Sequence, residues 1–459
     1  MSIKQLKWSM FTVAAVGNFI SMLDSTTVNL ALYPMSVDLN VTMGQIQWVM
    51  IAYMLVLTVF LPFFGKLGDI FSKNKLYSTG FGLFALGAFL NTTAHTFNLL
   101  IFYRCIEAIG ASIMLSNAQA IIATIFKGAR RGKALGLNGC IVAIGGMSGP
   151  AIGGILINYF SWHAIFYPAV IFGVIGSYFA FKILPRKHKI NIKNFKFDCK
   201  GFIYFTICLF ALLLAISEGH EWGWNSVRIV VLGVITLIFG GLFYFRDHKI
   251  NYPLINFSLF KIKPFTFGNL AVMISYMAMS TNSILLPFFL QEIQGHNPLI
   301  AGLLILPYSV TLSVAAPISG RLSGKYGSQY LTLAGPFVYC VALTLFTLYG
   351  KNAAMWQIVL ASGIMGIGNG LFQSPSNNAI MTSVNKSELG IASGILALSR
   401  NMGNILGVAV TITLFETFRN MFTAEIYEIA FLYSYKITMC FGIAFGIICF
   451  GFAYVAYRE

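Results

Sequence analysis

Apolar residues in this chain fall in blocks of about twenty, divided by short stretches that hold nearly all of the charge. About 20 residues at a rise of 1.5 Å cross the hydrocarbon of a bilayer, so each block reads as a membrane-spanning helix. The dyad alternation of a membrane β-barrel is absent. The pattern predicts fourteen spans, near residues 8–33, 45–64, 76–94, 98–124, 133–158, 163–184, 200–217, 228–246, 266–290, 299–320, 331–349, 355–382, 389–415 and 432–457. Composition points the same way. Of 459 residues, 57% are hydrophobic and 10% charged, which leaves too little polar surface to cover a soluble protein of this length.

Charge sets the expected orientation. An even number of spans puts both termini on one side, and basic residues mark the cytoplasmic side. Loops on the other side carry only Arg228, Lys351, Arg419 and Lys436, and Arg104 and Arg400 lie inside spans. The rest of the 30 lysines and arginines fall on the side of the termini, so both termini are expected in the cytoplasm. The net charge of +16 follows from this asymmetry. Anchoring to anionic headgroups accounts for it, and no nucleic-acid partner is required. Lys4 and Lys7 precede the first span as in a signal peptide, but the apolar run is too long and no small-residue cleavage site follows. The seven cysteines have no paired or metal-type spacing and the histidines no ligand pattern, so no metal or cofactor is expected.

The chain repeats itself. Pro62-x-x-Gly65-Lys66-Leu67 recurs as Pro317-x-x-Gly320-Arg321-Leu322, and Leu76 and Gly80 recur as Leu331 and Gly335. Gly132, Gly136, Gly145 and Gly149 match Gly390, Gly394, Gly403 and Gly407, and Ser25-Thr26 has its match in Ser280-Thr281. Two six-helix halves are expected, residues 1–185 and 256–459, with a two-helix insert and basic flanking loops over 186–255. Such parallel repeats build major-facilitator transporters, in which substrate lies near the midplane and the halves rock around it. No P-loop is present, so ATP hydrolysis is not the expected energy source.

Four segments carry the chemistry. Gly65-Lys-Leu-Gly-Asp69-Ile-Phe-Ser72-Lys73-Asn-Lys75 is similar to the cytoplasmic gating-loop motif of the major facilitator superfamily, with Ser72 where that family has glycine. The second-half copy has Gly324 in place of the acid. Gly145-Gly146-Met-Ser-Gly149-Pro150-Ala-Ile-Gly153-Gly154 resembles the antiporter motif of drug:proton exporters. Spacing of four puts Gly145, Gly149 and Gly153 on one helix face for close packing, and Pro150 bends the helix. A face that serves packing alone is the other reading. Asp24, within Leu23-Asp24-Ser25-Thr26-Thr27-Val28-Asn29, resembles the first-helix motif of the fourteen-span drug:proton antiporter family. Asn18, Ser21, Ser25 and Asn29 extend a polar stripe along the same helix, which is expected to line a cavity.

In the fourth span Arg104 and Glu107 stand three residues apart and share a helix face. The family pattern there is Arg-x-x-Gln-Gly-x-Gly, so Glu107 replaces a glutamine and Ala108 a glycine. Glu107 either carries a proton or neutralises Arg104. The positions that match Asp24, Arg104 and Glu107 in the second half are Met279, Ser362 and Met365. Arg400 is read as that half's lone buried charge, a partner for substrate or a side chain that snorkels to the interface. Shorter resemblances lie at Ser161-Trp162-His163-Ala-Ile-Phe166, at Gly219-His-Glu221-Trp222-Gly223-Trp224 and at Gln291-x-x-x-Gly295-x-x-Pro298-x-x-Ala301-Gly302.

Together these features predict an all-α membrane protein of the major-facilitator fold, six, two and six helices, in the cytoplasmic membrane of a bacterium. The resemblance implies a non-enzymatic, proton-coupled antiporter of the multidrug-efflux type that confers antibiotic resistance. Its expected cargo is amphipathic, cationic or zwitterionic compounds, and it is expected to work as a monomer. A carboxylate within a span costs at least about 2–3 kcal/mol unless paired or hydrated, which makes Asp24 and Glu107, with Arg104, the expected coupling groups. An exporter of one defined compound, an uptake symporter, and a membrane enzyme or scramblase remain as alternatives.

Overall fold

The structure is a computed structural model that describes residues 3–126, 129–184, 198–250, 257–384, 389–422 and 427–457. Fourteen long helices make up nearly all of it: α1 (Ile3–Asp38), α2 (Trp48–Ile70), α3 (Lys73–Asn91), α4 (Phe97–Ile125), α5 (Ala129–Tyr159), α6 (Tyr167–Ile183), α7 (Cys199–Trp222), α8 (Val227–Lys249), α9 (Lys263–Phe288), α10 (Pro298–Tyr326), α11 (Gln329–Leu348), α12 (Met355–Thr382), α13 (Leu389–Met421) and α14 (Tyr427–Tyr457). No strand occurs among the described residues.

Each helix coincides with one apolar block of the sequence. Twelve segments are long and apolar enough to cross a membrane among the described residues. α3 and α5 are not among them. α3 opens with Lys73-Asn74-Lys75 and continues with Ser78, Thr79 and three glycines, which dilute its apolarity. α5 is described only in part over its first half.

The turns use local chemistry. Thr42 accepts from the Gln45 backbone N–H while Gln45 Oε1 accepts from the Thr42 N–H, a capping box on the short helix Met43–Ile46. Ser226 Oγ caps α8 by accepting from the Ile229 N–H. Gly327, at φ 88°, makes the tight turn from α10 into α11, a conformation that glycine adopts without strain. The corresponding turn from α2 into α3 has no such need: Ser72 precedes α3 at φ −64°, a conformation open to any residue, so the family glycine is dispensable there.

The chain forms two compact units: residues 1–197 with 297–302, and residues 198–296 with 303–459. In the first, α1 packs on α4, α5 and α6, α4 packs on α2 and α3, and α3 packs on α6. A Cβ on Gly80 would meet Ile113 Cγ2 at 2.7 Å, and one on Gly110 would meet the Phe84 N at 2.3 Å, so α3 and α4 touch backbone to backbone. In the second unit, α9 packs on α12, α13 and α14, and α11 packs on α12 and α14. Gly335 and Gly368 bring α11 and α12 together in the same manner, with built Cβ distances of 2.6 Å to the Phe372 N and 2.5 Å to the Tyr339 N. α9 is the enclosed helix, with 72% of its most apolar stretch buried, against 11% for α8. The hairpin α7–α8 joins this unit through α13, where Thr413 Oγ1 donates to the Ile216 carbonyl at 2.9 Å.

Candidate functional site

Three charged side chains meet in the interior of the first unit. Arg104 on α4 donates through Nη1 to Asp24 Oδ2 on α1 at 2.9 Å and to Glu107 Oε2, one turn along α4, at 2.8 Å. Arg104 is 1% exposed, Asp24 3% and Glu107 0%, so water screens none of these charges. Asn91, the last residue of α3, donates Nδ2 to the same Glu107 Oε2 at 2.7 Å. The guanidinium lies 4.2 Å from the centre of the Tyr53 ring on α2 and 5.7 Å from that of Phe166, where cation–π attraction is stronger for being dry.

Close helix packing fixes this geometry. A Cβ on Gly87 of α3 would lie 2.4 Å from the Glu107 N, so the glycine lets α3 settle on α4 and carries Asn91 to the carboxylate. The 3-10 turn Trp162–Phe166 brings Phe166 in, held by Trp162 Nε1 donating to Asp38 Oδ2 at 2.8 Å. Its neighbour His163 pairs through Nε2 with the Ala94 carbonyl at 3.0 Å. Among the described residues, Asp24 Oδ1, Glu107 Oε1 and the Tyr53 hydroxyl have no hydrogen-bond partner. With both acids ionised the cluster would carry one net negative charge in an apolar site. One proton cancels it.

The glycine–proline helix lies against α1 from the other side. Built Cβ atoms would meet the Phe19 carbonyl at 2.6 Å (Gly145), Thr26 Oγ1 at 1.9 Å (Gly149) and Thr27 Cγ2 at 2.8 Å (Gly153). The three glycines thus share the face that spacing predicts, and it is the face that receives α1. Gly154 faces elsewhere, towards the Pro298 carbonyl at 2.8 Å, and Pro150 is buried.

The polar stripe on α1 is not one uniformly open face. Asn18 is buried and donates to Asn138 Oδ1 on α5 at 3.0 Å, and Ser21 is buried against its own helix, bonded to the Gly17 carbonyl. Ser25 and Asn29 are half-buried. In the gating-loop segment Gly65 faces Ser116 at 3.9 Å, Lys73 is half-buried and Lys75 exposed, while the Asp69 side chain lies outside the described residues. Gly68, which the sequence reading passed over, makes the tight contact of that segment, with Asn117 Oδ1 1.6 Å from a built Cβ. Arg400 is half-buried on α13 of the second unit and takes no part in the cluster. It is not that unit's lone buried charge, because Glu416 is 8% exposed and paired with Arg419 at 2.8 Å.

Long apolar helices around a buried charge cluster make this a multi-pass membrane protein. The chain belongs to the Major Facilitator Superfamily, whose family model matches residues 14–408 and 268–458. It is 34% identical over 88% of its length to the riboflavin transporter RibZ of Clostridioides difficile, of which it covers 87%. To the multidrug resistance protein Stp of Mycobacterium tuberculosis it is 27% identical over 86% of its length, covering 73% of that protein. The multidrug transporter protein MdtP of Bacillus subtilis is 28% identical over 87% of the chain, with 74% of that protein covered. Among solved structures, an inward-facing bacterial homologue of the lysosomal transporter Spinster superposes with a TM-score of 0.72. The match covers 99% of this chain and 96% of that one at 13% identity, a likeness of fold.

Proposed function

We propose that this chain is a proton-coupled antiporter of the bacterial cytoplasmic membrane, with fourteen spans, both termini in the cytoplasm and two six-helix halves, that exports amphipathic small molecules as a monomer. The observation that carries this reading is the buried cluster in which one guanidinium serves two carboxylates. A dry site that holds one uncompensated charge is costly, so the cluster has a reason to take up a single proton, and transport needs a group that does so reversibly. The proton binds Asp24 or Glu107 from the outer side and leaves to the cytoplasm, while Arg104 stays paired with the acid that remains ionised. Export is supported by the glycine–proline helix packed on α1 beside Asp24, and by the multidrug relatives.

The arrangement also narrows the cargo. Both acids already face Arg104, so a cationic substrate would have to displace the guanidinium to reach them. Zwitterionic and neutral amphipathic compounds fit better than simple lipophilic cations. A second reading, a carrier dedicated to a flat heterocycle such as riboflavin, is favoured by the 34% identity to RibZ.

Inverted membrane vesicles with an imposed pH gradient and a pH-sensitive dye test both. Substrate addition is expected to trigger proton leak, abolished by Asp24→Asn. Normal transport by that variant overturns the coupling role, and transport that persists after the gradient is collapsed overturns antiport. Riboflavin active where a panel of drugs is silent selects the dedicated carrier.

A further inference from the structure

Arg400 is a cation with no paired anion among the described residues. Of the helices packed on α13, α9 and α12 carry no acid, α7 carries Glu218 and Glu221, and α14 carries Glu428 near its start, while α13 itself carries Glu416. That residue pairs with Arg419, sixteen residues and about 24 Å of helix rise away. No carboxylate pairs with Arg400 among the described residues, and its buried Nε has no hydrogen-bond partner. Its level in the unit follows from the contacts on either side. Ser399 Oγ donates to Asn269 Oδ1 at 3.2 Å, and a Cβ on Gly403 would lie 2.8 Å from Tyr276 Cβ, so Arg400 stands between Asn269 and Tyr276 of α9. These are positions well inside the helix, and an unpaired guanidinium there is expensive.

Neutral hydrogen-bonding groups and aromatic rings gather at the same level. Gln373 Nε2 on α12 donates to the Tyr276 hydroxyl. Asn369, one turn along α12, donates to the Tyr308 hydroxyl of α10 at 2.8 Å, and its own buried Oδ1 has no partner among the described residues. Asn404, one turn beyond Arg400, accepts from Ser280 Oγ at 3.4 Å. Tyr276, Tyr308, Gln373, Arg400 and Asn404 are all half-buried rather than enclosed. Such a set, with one cation, several amides and two phenol rings but no acid, matches a planar acceptor-rich molecule.

We propose that this face of the second unit recognises flat aromatic solutes that bear a carboxylate or another negatively polarised edge, with Arg400 as the charge partner, Asn369, Gln373 and Asn404 as hydrogen-bonding groups, and Tyr276 and Tyr308 as stacking surfaces. The inference rests on the transporter reading above and names its substrate class. It is tested with two dyes of one ring system, anionic fluorescein and cationic tetramethylrhodamine methyl ester, whose binding to the purified full chain in detergent is followed by fluorescence anisotropy. Wild type is expected to bind fluorescein more tightly. Arg400→Gln is expected to weaken fluorescein about tenfold or more and leave the rhodamine ester within about twofold. Arg400→Lys, which keeps the charge, is expected to retain the anion preference and controls for a folding defect. Equal fluorescein affinity in wild type and Arg400→Gln, or a wild-type preference for the cation, overturns the assignment. No pH gradient is present, so this result stands or falls apart from the coupling role of Asp24.

Discussion

Glu107 Oε2 accepts from two donors, Arg104 Nη1 and Asn91 Nδ2, whereas Asp24 Oδ2 accepts from Arg104 alone among the bonds of the cluster. Removing Asn91 therefore leaves a buried carboxylate short of a donor, and Asn91→Leu is expected to destabilise the protein by about 1–3 kcal/mol. A thermal melt of the detergent-purified chain checks this, and an unchanged melting temperature would mean that Asn91 contributes nothing to the cluster. Glu107→Gln makes the different change of removing the surplus negative charge. Substrate-triggered proton movement in vesicles is then expected to fall at least tenfold, about 1.4 kcal/mol in the driving interaction. Full activity would reduce Glu107 to a partner of Arg104. The charged members of the site were readable in the sequence because a charge inside an apolar run stands out. Asn91 and Tyr53 were not. A neutral amide at the end of a span looks like a loop residue, a tyrosine in an apolar run looks like core, and their nearness to Arg104 exists only once three helices have packed.

Elements were legible for a related reason: length and apolarity fix a transmembrane helix locally, without knowledge of its neighbours. Which glycines matter was less so. The Gly145–Gly149–Gly153 face could be drawn from spacing, but Gly87 lies in an ordinary apolar stretch and its contact with the Glu107 backbone depends on the path of α4. Two substitutions on α3 separate close approach from mere smallness. Gly87→Val would press a side chain into backbone 2.4 Å away and must push α3 off α4. Gly82→Ala meets nothing nearer than Ser177 Oγ at 3.7 Å. The first is expected to cost more than about 3 kcal/mol of stability, or to prevent insertion, and the second less than about 0.5 kcal/mol. Expression level and melting temperature measured side by side decide it; equal behaviour of the two would remove the close-packing account of how Asn91 reaches the site. At the start of α7, Asp198 is buried and bonded to Arg246 Nε at 2.8 Å, with the arginine one-third exposed. Arg246→Ala is expected to loosen the α7–α8 hairpin at this end, read as a lower melting temperature of the purified chain.

At the scale of the whole molecule, the two units use the same glycine contacts for different chemistry. Gly80 with Gly110 and Gly335 with Gly368 close equivalent helix pairs, yet the buried acids that pair with Arg104 belong to the first unit, and Arg400, which has no carboxylate partner among the described residues, to the second. A repeat of sequence therefore need not be a repeat of chemistry, and in the proposed antiport the coupling passes between proton and substrate as a difference in free energy. Linkage makes that difference reciprocal: if a proton on the cluster weakens substrate binding, substrate must expel the proton by the same factor. With one surplus negative charge among Asp24, Arg104 and Glu107, the expected exchange is about one proton per substrate bound. Binding should then weaken as the pH falls, because proton uptake favours the substrate-free state. Titration of a binding solute into the purified protein in weakly buffered detergent, with a pH indicator present, reads the released protons directly. Release near one per site in wild type and near zero in Glu107→Gln is the expected pattern, with the wild-type affinity lower at acid pH and that of the variant flat. Binding that releases no proton and ignores pH would show that the cluster is a static ion pair and that the energy of export enters elsewhere.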